Sequence, residues 1–70
     1  MTLGQAIQMA RAMARLTQAQ LGNRLGVTRV SVTRWELCES LPDCDRIVAI
    51  ARETGCEFIA CASGWKVVHQ

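Results

Sequence analysis

Residues 18–36 read QAQLGNRLGVTRVSVTRWE, and this stretch of the sequence decides the fold. Its pattern predicts two short helices joined by a turn at Gly26, because glycine readily adopts the positive φ at which many helices end. Apolar residues recur at helical spacing through both segments, at Leu21, Leu25, Val27, Val32 and Trp35. This spacing packs the two helices at a steep angle, and Gly22 lies where their backbones approach most closely.

Capping residues divide the rest of the helical region. Four side chains suited to helix N-termini occur at Thr2, Thr17, Thr28 and Asp43. Thr2 and Thr17 are each followed three residues later by a glutamine, which is the capping-box spacing. Gly55 is placed to end the last helix. We therefore predict four helices over residues 1–55, with a loop from residue 37 to 42.

The apolar residues of the first helix predict one buried face. This face comprises Leu3, Ile7, Ala10 and Ala14, widened by Met9, Met13 and Leu16. We interpret the two methionines as core residues. Trp35 and Trp65 are also interpreted as core residues, because neither has the aromatic neighbours that single-strand binders use for base stacking.

The apolar period changes from 3.6 to 2 after Gly55, which predicts a β-hairpin. Strand-forming residues occupy 56–62 and 65–69, and Ser63-Gly64 between them is a tight-turn dipeptide. The expected pairs are Ala62 with Trp65, Ala60 with Val67 and Ile59 with Val68. The predicted fold class is mainly α: one domain over 1–70, with a four-helix core in 1–55 and a C-terminal hairpin in 56–70.

Basic residues are concentrated in the first half of the chain. Residues 1–35 contain five arginines and no Asp or Glu, whereas residues 36–70 contain three basic and six acidic side chains. Arginine matches phosphates and guanine edges, so this asymmetry suggests a polyanionic partner on one side. An ordinary solvated basic face is the alternative.

The sequence lacks the residue patterns that several classes of function require. The four cysteines have no zinc-site spacing and His69 is the sole histidine, so we expect no metal, no cofactor and buried reduced thiols. No nucleophile–base pair, paired carboxylates or Gly-rich phosphate loop is present, so we do not expect an enzyme. The N-terminus is interrupted by Gln and Arg, which predicts neither a signal peptide nor a membrane span, so we expect no membrane partner. We expect a cytoplasmic, nucleoid-associated protein.

The chain resembles the helix-turn-helix family of phage repressors and Cro-type proteins, also called the xenobiotic-response-element family. The resemblance runs from Leu3 to Gly55. It is carried by Thr17-Gln18, Leu21-Gly22, Leu25-Gly26-Val27, Val32, Trp35-Glu36 and Pro42. It implies a lambda-repressor-like fold that places its third helix in the major groove of DNA.

Four side chains on the outer face of the third helix are expected to contact bases. They are Arg29, Val30, Thr33 and Arg34, which share one side of a helix. It is the resemblance that implies this role, because these residues align with family positions that touch base edges. Arginine can bind guanine O6 and N7, whereas the methyls of valine and threonine suit a thymine methyl. A partly buried Val30 is the alternative.

The resemblance also implies contacts to the DNA backbone. Gln18 aligns with the family glutamine that holds a phosphate and orients the recognition helix. Arg11 and Glu36 match a family pair that forms a salt bridge between the first and third helices. The full set of expected phosphate contacts is Gln18, Thr17, Arg11, Arg15, Arg24, Thr28, Ser31 and Ser40. Solvated surface is the alternative for Arg15 and Arg24.

Two departures from the family pattern have structural consequences. Cys38 stands where relatives usually have a glycine, which predicts a differently shaped end to the third helix. A hairpin replaces the fifth helix of many relatives, so their mode of dimerisation does not transfer to this chain.

The hairpin is the predicted dimerisation element. We expect Phe58, Trp65 and Val67 on one face, and Ile59, Cys61 and Val68 on the other. One apolar face can cover the helices, while the other face and the open strand edges need a partner. Dimerisation through helices, with the second face folded onto the fourth helix, is the alternative.

The predicted function is sequence-specific regulation of transcription, by a dimeric repressor that binds double-stranded DNA at a palindromic operator. Small size suggests a phage or mobile-element regulator, a class that includes the repressors of anti-CRISPR operons. The alternative is an antitoxin-type module that binds a toxin partner and represses its own operon.

Overall fold

The computed structural model describes residues 1–70 and confirms all four predicted helix starts. The helices are α1 Leu3–Met13, α2 Gln18–Leu25, α3 Arg29–Glu36 and α4 Cys44–Thr54. Each follows its predicted N-cap, whose side chain accepts a hydrogen bond from the backbone N–H three residues on. Both capping boxes form, at Thr2 and at Thr17. No helix combines the length and apolar character that crossing a membrane requires.

The four helices end in left-handed backbone, but only two of them end on glycine. Gly26 and Gly55 end α2 and α4 as predicted, with φ of 72° and 67°. Arg15 and Cys38 take the equivalent place after α1 and α3, both with φ of 59°. The expectation that Cys38 changes the shape of this helix end is therefore wrong, because the left-handed conformation is kept without glycine. That conformation costs a residue with a Cβ about 1–2 kcal/mol.

Hydrogen bonds explain why the left-handed turn after α3 persists. The N–H of Glu39 donates to the carbonyl of Arg34 at 2.9 Å, and that of Cys38 to Trp35 at 3.1 Å. These are the two bonds of a Schellman motif. The turn after α1 has the same pair, from Leu16 to Arg11 and from Arg15 to Ala12.

The core lies between the four helices. Its buried apolar residues are Ile7, Leu16, Leu21, Val32, Trp35 and Ile50. The interpretation of Met9 and Met13 as core residues is wrong, since they are 42% and 39% exposed. Around the axis of α1, both side chains lie about a quarter-turn or more from the residues that face the core.

Small residues bring α1 close to the end of α3. A Cβ on Gly4 would lie 2.5 Å from the carbonyl oxygen of Glu36 and 2.7 Å from that of Trp35. Ala6 and Ala10 are fully buried on the same side of α1. Because α1 contacts the core through these small residues, no room remains there for a methionine.

The C-terminal hairpin forms, but with a different register from the one predicted. β1 Cys56–Cys61 and β2 Gly64–His69 are antiparallel. The observed partners are Phe58 with Val67, Ile59 with Lys66, Ala60 with Trp65 and Cys61 with Gly64. The turn is therefore Ala62-Ser63, and the prediction of Ser63-Gly64 is wrong.

Met1 accounts for the position of Gly64 inside the strand. The N–H of Trp65 donates to the carbonyl of Met1 at 2.8 Å, so the N-terminal residue lies beside β2. A Cβ on Gly64 would collide with that carbonyl oxygen, and Gly64 also has a φ of 121°. A long-range contact, which local turn chemistry does not report, thus selects the register.

The predicted division of the hairpin into two faces survives the change, because the register differs by two residues. Phe58, Trp65 and Val67 are half-buried on the face toward the helices. Ile59 and Val68 are exposed on the other face, where Glu57 and Lys66 also lie. The outer face is therefore less apolar than expected, and Trp65 is only half-buried.

The cysteines correct a further expectation. Only Cys56 is buried, whereas Cys38, Cys44 and Cys61 are exposed free thiols. Cys38 lies two residues after the end of α3, and Cys44 is the first residue of α4. Cys61 is the last residue of β1, beside the turn. The interpretation of all four as buried thiols is wrong for these three.

Candidate nucleic-acid interface

The crossing of α2 and α3 depends on Gly22, as predicted. A Cβ at this position would lie 2.9 Å from the carbonyl oxygen of Val27, in the turn between the two helices. Glycine therefore lets α2 approach the turn, while Leu21 and Val32 fill the angle between the helices. This packing holds α3 in a fixed orientation against the core.

The outer face of α3 carries three of the predicted base-contacting side chains. Arg29, Val30 and Arg34 are exposed, and Val32 and Trp35 on the opposite face are buried. Val30 is 52% exposed, so the alternative of a partly buried Val30 does not hold. An exposed apolar residue between two arginines suits a base edge better than it suits water.

The predicted salt bridge between α1 and α3 is present. Arg11 Nε donates to Glu36 Oε2 at 2.6 Å, and its terminal nitrogens donate to Glu36 Oε1 and to the carbonyl of Leu16. The Glu36 side chain is 5% exposed and that of Arg11 is 17% exposed. The ion pair is thus largely shielded from water and ties three segments together.

Gln18 connects α2 both to this ion pair and to Thr33 of α3. Its Nε2 donates to Glu36 Oε1 at 3.0 Å, and its Oε1 accepts from the hydroxyl of Thr33 at 3.0 Å. Because an amide nitrogen has two hydrogens, one N–H of Gln18 remains available at the surface. Its side chain is therefore held in one orientation by partners on α3.

Thr33 is half-buried and its hydroxyl bonds within the protein, so the thymine contact predicted for its methyl group stays a prediction. Its hydroxyl lies within 3.0 Å of both Gln18 Oε1 and the carbonyl oxygen of Arg29. One proton serves one acceptor at a time, so the hydroxyl is engaged within the protein. The contact between Thr33 and Gln18 was not predictable from the sequence, because it joins residues 15 positions apart and has no local signature.

A cationic cleft lies beside the start of α2. It has a volume of about 580 Å³ and is lined by Arg11, Arg15, Leu16, Thr17, Gln18, Ala19 and Arg29. The Thr17 hydroxyl is used by the Gln20 N–H, so the first two amides of α2 keep no partner within the chain. Arg15 and the N-terminus of α2 give this cleft its positive character, which suits an anion, whereas the charge of Arg11 is balanced by Glu36 and Arg29 belongs to the outer face of α3.

The remaining predicted phosphate contacts lie outside this cleft. The hydroxyls of Thr28 and Ser31 are 3.3 Å apart at the start of α3, where Thr28 caps the helix. Arg24 is exposed in the last turn of α2, and Ser40 is exposed in the loop before α4. Of the predicted phosphate contacts, the structure thus groups Arg11, Arg15, Thr17 and Gln18 and leaves these four apart from them.

Two crossed helices with an arginine-bearing outer helix define a DNA-binding helix-turn-helix unit. The helix-turn-helix family model matches residues 7–59, and the chain belongs to this family. The family is a class of DNA-binding regulators and not of enzymes. The family and the mainly α fold with a C-terminal hairpin, both predicted from the sequence, are confirmed.

A phage repressor is similar to this chain both in sequence and in structure. Repressor protein C2 of Salmonella phage P22 is 30% identical over 54 residues, which are 77% of this chain and 25% of that protein. The chain thus spans about a quarter of the length of this curated relative. The crystal structure of the P22 c2 repressor with a synthetic operator superposes with a TM-score of 0.75 and 28% identity, over 81% of this chain and 86% of that one.

Proposed function

We propose that this protein is a sequence-specific repressor that binds an operator in double-stranded DNA through α3. The observation that carries the proposal is the composition of the outer face of α3, where Arg29, Val30 and Arg34 project together from a helix fixed by its core contacts. Arginine and valine can distinguish guanine and thymine edges in the major groove.

The cationic cleft supports a separate, sequence-independent contact. Gln18, the free amides of α2 and Arg15 present donors to one anion, and Gln18 is also bonded to Thr33 of α3. A phosphate held there would be positioned relative to the reading face by a rigid side chain. We assign phosphate binding to Gln18, Thr17, Arg11, Arg15, Arg24, Thr28, Ser31 and Ser40.

The similarity to a phage repressor solved with an operator supports both the DNA partner and repression as the direction of regulation. The operator that we propose is palindromic. The protein would bind it as a homodimer, because the two halves of such an operator need two recognition helices about 34 Å apart. The C-terminal hairpin is the proposed dimer element, with Ile59, Cys61 and Val68 on its outer face.

The test separates base reading from phosphate binding. Arg29→Ala and Arg34→Ala should each cost about 1–3 kcal/mol on the specific site and little on random DNA. Gln18→Ala should weaken both kinds of DNA by similar factors, and affinity should fall steeply as salt rises. Binding would be measured by fluorescence anisotropy on a selected duplex and a scrambled one.

Arg46→Ala is the matched control, since it removes an exposed cation of α4 that lines neither the cleft nor the outer face of the hairpin. Equal losses on both duplexes for the two arginine variants would refute the assignment of the reading face. Affinity that does not change with salt would refute the assignment of the cleft.

A further inference from the structure

The hairpin has one strand edge with no partner within the chain. The N–H of Gln70 donates to the carbonyl of Gly55 at 3.0 Å, which sets the alternation of hydrogen-bonded pairs along the sheet. It follows that Glu57 and Ile59 bond to β2, while the N–H and C=O groups of Phe58 and Ala60 point away from it. No backbone or side-chain partner contacts them.

The other edge of the hairpin is not equivalent. On β2 the outward N–H of Trp65 already donates to Met1, and the Met1 amine lies 3.4 Å from the Trp65 carbonyl oxygen. The N-terminal residue therefore covers that edge where α1 begins. The outward groups of Val67 and His69 on β2 also lack a hydrogen-bond partner, but α1 packs against β2, so the β1 edge is the more open one for the addition of another strand.

An apolar groove continues from this edge onto α4. It has a volume of about 350 Å³, and its apolar lining is Ile47, Val48, Ala51, Cys56 and Phe58. Val48 is 56% exposed, although it sits in the middle of a helix. A strand added at the β1 edge would lie over this groove and remove these side chains from water.

The charges around the groove indicate what occupies it. Arg52 and Glu57 both line it, and neither forms an ion pair within the chain. A rim with one cation and one anion suits neither DNA nor a strongly charged peptide. A second copy related by a two-fold axis presents the same two signs in reverse order, and its free β1 groups match those of the first.

We propose that two copies of this chain pair antiparallel through their β1 edges, with the two-fold axis at Ile59, to form a four-stranded sheet. This inference rests on the proposed homodimer and specifies its interface. An axis at Phe58 would place Ile59 against Glu57 of the partner subunit. The axis at Ile59 instead sets the two isoleucines opposite each other and Phe58 against Ala60 of the partner subunit, so apolar side chains meet.

The first test removes one edge N–H without touching the β1–β2 bonds. Ala60→Pro should weaken dimerisation at least a hundredfold, since two symmetry-related hydrogen bonds are lost and each is worth about a factor of ten. His69→Pro is the matched control, because the N–H of His69 points outward on the β2 edge. Val48→Glu should weaken the dimer at least about tenfold. Dimerisation would be measured by sedimentation equilibrium, with circular dichroism to confirm folding.

The second test detects the axis itself. In a background where Cys38, Cys44 and Cys61 are serine, Ile59→Cys should form a disulfide dimer with oxidised glutathione, because residues in such a facing pair have Cα atoms about 4.5 Å apart. Lys66→Cys, on the same face but on β2, should not cross-link. A dimer that survives Ala60→Pro, or equal cross-linking of both cysteine variants, would overturn the inference.

Measuring DNA binding alongside dimerisation distinguishes a failure of this inference from a failure of the proposed function. DNA half-site binding by the monomeric Ala60→Pro protein would be measured in parallel, and it should persist. If all variants dimerise normally and DNA binding is intact, the interface lies elsewhere and the β1 pairing is wrong. If DNA binding is absent in the wild type, the proposed function fails whatever the oligomeric state.

Discussion

Replacing Glu36 should lower the free energy of unfolding strongly, even when the new side chain has nearly the same shape. Glu36→Gln keeps the volume but removes the charge that accepts hydrogen bonds from Arg11 at 2.6 and 3.2 Å and from Gln18 at 3.0 Å. The amide group of glutamine would also turn a donor toward these donors. Bonds to charged groups contribute about 1.5–3 kcal/mol each, and breaking a buried ion pair costs about 3–5 kcal/mol.

We therefore expect a loss of about 3 kcal/mol in the free energy of unfolding. A chain of 70 residues has about 4–10 kcal/mol in total, so this loss is a large share. Urea titration, followed by the fluorescence of buried Trp35 and by far-UV circular dichroism, measures it. Glu39→Gln is the control, because Glu39 is exposed and should change stability by less than about 0.5 kcal/mol.

A double variant identifies the source of the loss. Arg11→Met with Glu36→Leu should recover most of the stability, since it leaves no unpaired charge between α1 and α3. A loss below about 1 kcal/mol in Glu36→Gln would refute the reasoning that this network stabilises the fold.

Three further predictions concern single residues. Cys38→Gly should raise the free energy of unfolding by about 0.5–1 kcal/mol, because glycine removes the left-handed strain but loses more entropy on folding; a lower melting temperature would contradict this. Arg15→Gly should stabilise the fold in the same way and yet weaken DNA binding, so unchanged affinity would place Arg15 outside the interface. Hydrogen bonding from the Ser63 side chain and backbone lowers the pKa of the Cys61 thiol. Ser63→Ala should therefore raise that pKa, reduce the thiolate fraction and slow alkylation by iodoacetamide at pH 8, and an unchanged rate would argue against it.

The features that were predictable from the sequence are those governed by neighbouring residues. Each helix N-terminus depends on one capping side chain and the amide three residues away, as at Thr17 and Gln20. Gly22 and Gly26 were predictable for the same reason, since the close approach and the positive φ both fall within one short turn. The resemblance added the Arg11–Glu36 pair, which local spacing alone does not indicate.

The features that were not predictable depend on contacts between distant parts of the chain. Met1 selects the hairpin register from the opposite end of the sequence, against the preference of Ser63-Gly64 for the turn. Met9 is exposed because Gly4 and the alanines of α1 define a different buried line. The engagement of the Thr33 hydroxyl with Gln18 likewise has no signal in either segment alone.

The central claim is that α3 reads a DNA sequence, and selection of bound duplexes from a random pool tests it most directly. The wild type should enrich an inverted repeat with half-site centres about 10–10.5 base pairs apart. Arg29→Ala and Arg34→Ala should each lose base preference at one position of the half-site, with the rest of the motif retained. No enriched motif in the wild type, or the same motif from all three proteins, would contradict the account.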